Sequence, residues 1–128
     1  QLTTNINYPG ADYGSTYSKQ WLGNITIPTT GTYTFYCTSD DASFMWIGAS
    51  ATSGYTTGNA LVQNPGLHGM TERSGTISLT AGQTYDIRIQ FGERNGGDFI
   101  DFNYSTATIT KTTNVTGLVF YNSATNGF

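Results

Sequence analysis

Apolar and polar residues alternate along much of this chain with the two-residue period of a β-strand, and nowhere do the apolar positions settle into a helical stripe. Residues 84–91 are the clearest stretch. Tyr85, Ile87, Ile89 and Phe91 fall on one face, and Asp86, Arg88 and Gln90 on the other. Residues 32–38 repeat the pattern, with Tyr33, Phe35 and Cys37 pointing one way and Thr34 and Tyr36 the other. Residues 43–47 (SFMWI) are mostly apolar, as a strand buried between two sheets would be. Residues 21–27, 76–79 and 99–104 read as further strands, and 108–112 and 117–121 as two more candidates. Pro28-Thr29-Thr30-Gly31, Ala81-Gly82-Gln83 and the Gly-rich residues 92–98 turn the chain between them. The long small-residue segment 48–69 reads as a surface excursion. Strands at this spacing predict an all-β protein, a two-sheet antiparallel β-sandwich. One domain is expected over residues 1–121, with 122–128 as a linker or tail.

Composition supports the β reading and narrows the partners. Only 10% of the 128 residues are charged, while 14% are aromatic. Stiff Thr and bulky Tyr fit a pleated, half-exposed surface. The net charge is −3, and Lys19, Arg73, Arg88, Arg94 and Lys111 are scattered, so no basic patch exists to displace phosphate counterions from a nucleic acid. No apolar stretch is long enough to predict membrane insertion. Cys37 is the only cysteine and sits in an alternating apolar run, which reads as a small buried hydrophobe rather than a nucleophile. His68 reads as a loop residue, and Trp21 and Trp46 as core or edge packing.

Candidate chemistry lies at two places. In Ser39-Asp40-Asp41-Ala42-Ser43 two adjacent carboxylates sit at a strand end, where mutual repulsion is relieved by a hard divalent cation or by water. Calcium takes six to eight oxygen ligands. Neighbouring side chains on an extended strand point to opposite faces, so both carboxylates reach one ion only where the backbone is irregular. A solvated turn and a metal site both fit this spacing. The second place is Gly92-Glu93-Arg94-Asn95-Gly96-Gly97-Asp98, which fits a tight hairpin and also a set of oxygen donors around Asn95 and Asp98. A glycosidase pair is a poor fit, because such carboxyls stand about 5–9.5 Å apart across a cleft. The chain is therefore read as a binding domain rather than an enzyme.

The runs Trp21-Leu22-Gly23-Asn24-Ile25, Gly31-Thr32-Tyr33-Thr34-Phe35 and Ser39-Asp40-Asp41-Ala42-Ser43-Phe44-Met45-Trp46-Ile47-Gly48 resemble the PA14 domain and its fungal adhesin relatives, the GLEYA and flocculin domains. Ile77-Ser78-Leu79, Ala81-Gly82 and Tyr85-Asp86-Ile87-Arg88-Ile89 agree with it, so the resemblance covers residues 17–105. It implies a PA14-type sandwich in which an Asp-Asp pair, joined by a cis peptide, binds Ca2+. It further implies that Asn95 adds a side-chain ligand, that Gly97 and Phe99 add carbonyls, and that sugar hydroxyls complete the shell. The sugar would then meet Asp40, Asp41, Asn95, Gly96 and Asp98. This chain lacks the disulfide cysteines of the fungal adhesins and is shorter.

The function expected on these grounds is calcium-dependent carbohydrate binding by an adhesin or a viral or phage surface protein, outside the cell or on a virion. Its partners would be cell-surface glycans and neighbouring copies in a fibre or particle. The rival is a structural module of a fibre, filament or capsid decoration that binds no sugar.

Overall fold

The computed structural model describes residues 7–8, 17–93 and 99–125, with side chains described over 18–92 and 100–121. The strands are β1 (Asn7–Tyr8), β2 (Tyr17–Thr26), β3 (Gly31–Asp40), β4 (Ala42–Ile47), β5 (Val62–Asn64), β6 (Thr71–Leu79), β7 (Thr84–Glu93), β8 (Phe99–Ser105) and β9 (Leu118–Thr125). They form two antiparallel sheets, one in the order β1-β8-β3-β6 and the other β5-β4-β7-β2-β9. Among the described residues no helix is long and apolar enough to cross a membrane.

The alternation read in β3 and β7 sets the core. Tyr33, Phe35 and Cys37 from β3 and Ile87, Ile89 and Phe91 from β7 are all buried in one cluster with Ile25, Phe102 and Phe120. Fully burying a side chain of this size stabilises by about 1.5–3 kcal/mol. Phe35 stacks on Phe102 at 5.7 Å between ring centroids, and Tyr33 on Tyr104 at 6.0 Å. Cys37 is wholly enclosed, and burial pushes its thiol up to about 12, so it stays neutral and unreactive.

The expectation for residues 43–47 needs correcting. β4 alternates after all: Ser43, Met45 and Ile47 face the other sheet, while Phe44 and Trp46 face away from it. Trp46 is nevertheless buried, because the 48–60 excursion folds back over the outer face. Ala51 and Ala60 pack on the ring, and its Nε1 donates to Thr56 O at 2.8 Å and Asn59 Oδ1 at 2.9 Å. Arg88, expected outward, does point outward but lies under the same cover.

Three boundaries also differ. β6 begins at Thr71, five residues before the apolar signal, since it is an edge strand and carries polar residues such as Glu72 and Arg73. The expected strand over 108–112 is absent apart from one bridge, Tyr104 to Thr112. There the Thr106 hydroxyl accepts from the N–H groups of Thr108 and Ile109, which turns the chain instead of extending it. β9 runs to Thr125, paired with Lys19 of β2, so residues 122–125 belong to the sheet rather than to a tail.

Candidate metal centre

Asp40 ends β3 in one sheet and Ala42 begins β4 in the other, so the chain changes sheets at the aspartate pair. The peptide bond between Asp40 and Asp41 is cis, as the resemblance implied. Register then brings a second connection to this point. Asp40 lies opposite Phe99 of β8, and Ala42 lies opposite Gly92 of β7. The segment joining β7 to β8 therefore leaves and returns beside the pair. A third connection, residues 65–70, joins it from β5 to β6: the His68 N–H donates to Asp41 Oδ1 at 3.0 Å.

Polar side chains are packed beneath the pair at positions where the strand pattern would otherwise place hydrophobes. Ser39 and Ser43 are fully buried, and Asn64 nearly so. The Ser39 hydroxyl donates to the Asp41 carbonyl at 2.7 Å and meets the Ser43 hydroxyl at 2.6 Å. The Asn64 amide nitrogen lies 2.8 Å from Thr71 O and 3.2 Å from Ser39 Oγ, tying β3, β5 and β6 together under the site. Buried polar groups so connected hold a fixed geometry, since each loses hydration that only its neighbours replace.

Asp41 is only 6% exposed, and Asp40 is half-buried. Two adjacent carboxylates, one of them sunk into the protein, form a donor set of the hard-oxygen kind that calcium prefers. Of the other expected ligands, the backbone of Phe99 stands opposite Asp40 at the start of β8. Asn95, Gly96, Gly97 and Asp98 lie outside the described residues. Among the described residues no three His, Cys, Asp or Glu side chains converge, so any further ligands there would be of other oxygen types.

The sequence reading did not include the 65–70 segment or the Ser39, Ser43 and Asn64 layer. Ser39 and Ser43 carried a signal, being polar at inward positions on either side of the pair. His68 had none, because its contact is made by the backbone. The same segment carries Leu67 and Met70, 63% and 60% exposed.

A family model, the GLEYA domain, matches residues 17–108. Among curated proteins, the anti-sigma-I factor RsgI3 of Acetivibrio thermocellus is 33% identical over 76 residues, which is 59% of this chain and 10% of that protein. Among solved structures, an anti-sigma factor domain-containing protein from Clostridium clariflavum superposes with a TM-score of 0.72 at 22% identity, over 91% of this chain and 38% of that one. The Epithelial Adhesin 6 A domain from Candida glabrata, solved in complex with Galb1-3GlcNAc, gives 0.72 at 18% identity, over 94% and 61%. A PA14 sugar-binding domain from an RTX adhesin gives 0.57 at 18% identity, over 73% and 48%. The chain thus spans a tenth of the curated relative and 38–61% of these structures, which share its PA14-type sandwich.

Proposed function

Because the chain belongs to the GLEYA domain family, we propose that it is a calcium-dependent carbohydrate-binding domain working outside the cell, in a surface adhesin or a similar exposed protein. The observation that carries this reading is the convergence at Asp40 and Asp41. A buried and a half-buried carboxylate stand side by side, the β7–β8 connection starts and ends next to them, and a third connection is bonded to Asp41. Asp40 and Asp41 would hold Ca2+ together with Asn95 and the carbonyls of Gly97 and Phe99. Calcium bound there would offer coordination to sugar hydroxyls. Gly96 and Asp98 would contact the sugar, and the exposed apolar Leu67 and Met70 lie in the segment whose His68 N–H is bonded to Asp41.

Hydroxyl–calcium contacts mostly replace contacts with water, so affinity for a single sugar should be near the millimolar scale, about −4 kcal/mol. Many copies would be needed for attachment. The test is a glycan array probed with a multivalent display. Binding should vanish with a chelator, return with calcium and weaken in Asn95→Ala. Absence of any calcium-dependent glycan binding would favour the structural-module reading. The similarity to anti-sigma factors supports a second placement of the same activity, as a domain attached to a regulator rather than to an adhesin.

A further inference from the structure

The outer face of the five-stranded sheet carries a recess that begins at Ala42, the residue after the aspartate pair. Ser18, Gly92 and Ala42 lie opposite one another on β2, β7 and β4 and form its floor. In the next row Gln90 and Phe44 face each other and form its wall. The recess holds about 150 Å³, several times the roughly 30 Å³ that one water occupies in the liquid. Phe44 is held in place by stacking on Trp46 at 6.0 Å, so the wall is preformed.

Gly92 is what keeps the recess open. Its backbone is not in the left-handed region, so no turn requires glycine there, and a Cβ added to it would meet nothing within 4 Å. A side chain would therefore be accepted by the fold, and it would fill the space. Ala42 follows Asp41 in the chain, and Gly92 precedes the connection that carries Asn95. A glycan held at the pair that extends over Ala42 onto the outer face would meet the recess.

We propose that this recess takes the acetamido group of an N-acetylated sugar belonging to the glycan held at Asp40 and Asp41. Ala42 and Phe44 provide apolar contact for the methyl group, and the Gln90 side-chain oxygen, whose amide nitrogen is bonded to Gln20 Oε1, can accept from the acetamido N–H at the mouth. The proposal rests on the glycan reading above and names the class of sugar that reading leaves open.

The test compares matched sugars on a multivalent display of the parent protein: N-acetylglucosamine with glucose, N-acetylgalactosamine with galactose, and L-fucose with L-galactose. At least one N-acetylated sugar should bind about three- to tenfold more tightly than its hydroxyl counterpart, as expected for one buried methyl group and its contacts. In Gly92→Val, which fills the recess, that ratio should fall to about one. Ala42→Val is the second filling variant should the first fold poorly, and calorimetry with Ca2+ alone checks that the metal centre is intact in each. Calcium-dependent binding with no N-acetyl preference, a preference for the 6-deoxy sugar alone, or a ratio unchanged in both filled variants would overturn the recess while leaving the glycan reading in place. Loss of all calcium-dependent binding in the parent would overturn both.

Discussion

Arg88 and Asp41 are equally buried, each 6% exposed, yet the fold treats the two charges differently. Arg88 is served from within. Its Nε donates to Ala51 O at 2.7 Å, its Nη1 donates to Gln20 Oε1, and its guanidinium lies 3.7 Å from the centre of the Tyr55 ring. The contacts to Ala51 and Tyr55 clamp the 48–60 excursion onto the sheet, and the contact to Gln20 ties β7 to β2 beneath it. Asp41 instead has a second carboxylate as its chain neighbour and receives a backbone N–H from a loop. A buried charge whose partners belong to the fold is a structural device. A buried charge set beside its own kind, where several connections meet, is where the proposed cation would act.

The largest effect that tests this contrast is expected in the structural region. Trp46→Ala removes the ring that the excursion covers and should cost about 3–5 kcal/mol in urea unfolding. Calcium affinity of the folded protein should be unchanged, because Trp46 belongs to the outer cluster and not to the layer under the aspartates. If affinity fell in step with stability, the two regions would not be separable.

At the aspartate pair the expected effect is ligand-linked. Calcium at one hundred times its Kd should stabilise the parent by about 2.7 kcal/mol, read as a rise in Tm over a sample with chelator. Asp40→Asn combined with Asp41→Asn should abolish that rise while the sandwich stays folded. An unchanged Tm in the parent would remove calcium from this account. Asn64→Ala lies between the two regions in kind. It removes the amide donor from the Thr71 carbonyl and from the Ser39 hydroxyl, which keeps only Ser43, and should cost about 1–3 kcal/mol. Unlike Trp46→Ala, it should also weaken calcium binding, because Ser39 fixes the Asp41 carbonyl.

Much of this was legible in the chain, and what was not has identifiable causes. The two-residue period of β3 and β7 determined their inward faces, and the motif from Gly31 to Gly48 located the pair. The outward burial of Trp46 was hidden, since an apolar run looks the same whether a second sheet or a folded-back loop covers it. The layer of Ser39, Ser43 and Asn64 depends on bringing β3, β4 and β5 together, which a linear pattern does not show. Strand ends were misplaced at β6 and β9 because edge positions carry polar residues that mimic a loop.

Asp101 offers the smallest test and the sharpest form of the comparison, being a third charge, which the fold bonds through Asn103 and Phe102 while one carboxylate oxygen is left unanswered. It lies on β8 beside Thr38, and its Oδ1 is shielded from solvent with no hydrogen-bond partner. Burial raises its pKa above the ordinary carboxylate value, opposed by a hydrogen bond from Asn103 and by the charge of Lys111. The folded state therefore holds this proton more tightly than the unfolded chain does. Its contribution to stability is fully present below the unfolded pKa of about 3.9 and is lost as pH rises through the higher folded value. Asp101→Asn should consequently stabilise the protein at pH 7 and have little effect near pH 3. Urea midpoints of variant and parent, both measured with chelator present, isolate this contribution because bound calcium is removed from both proteins. A variant less stable than the parent at pH 7 would mean that Lys111 outweighs burial, and that Asp101 belongs with Arg88 among the charges the fold has already answered.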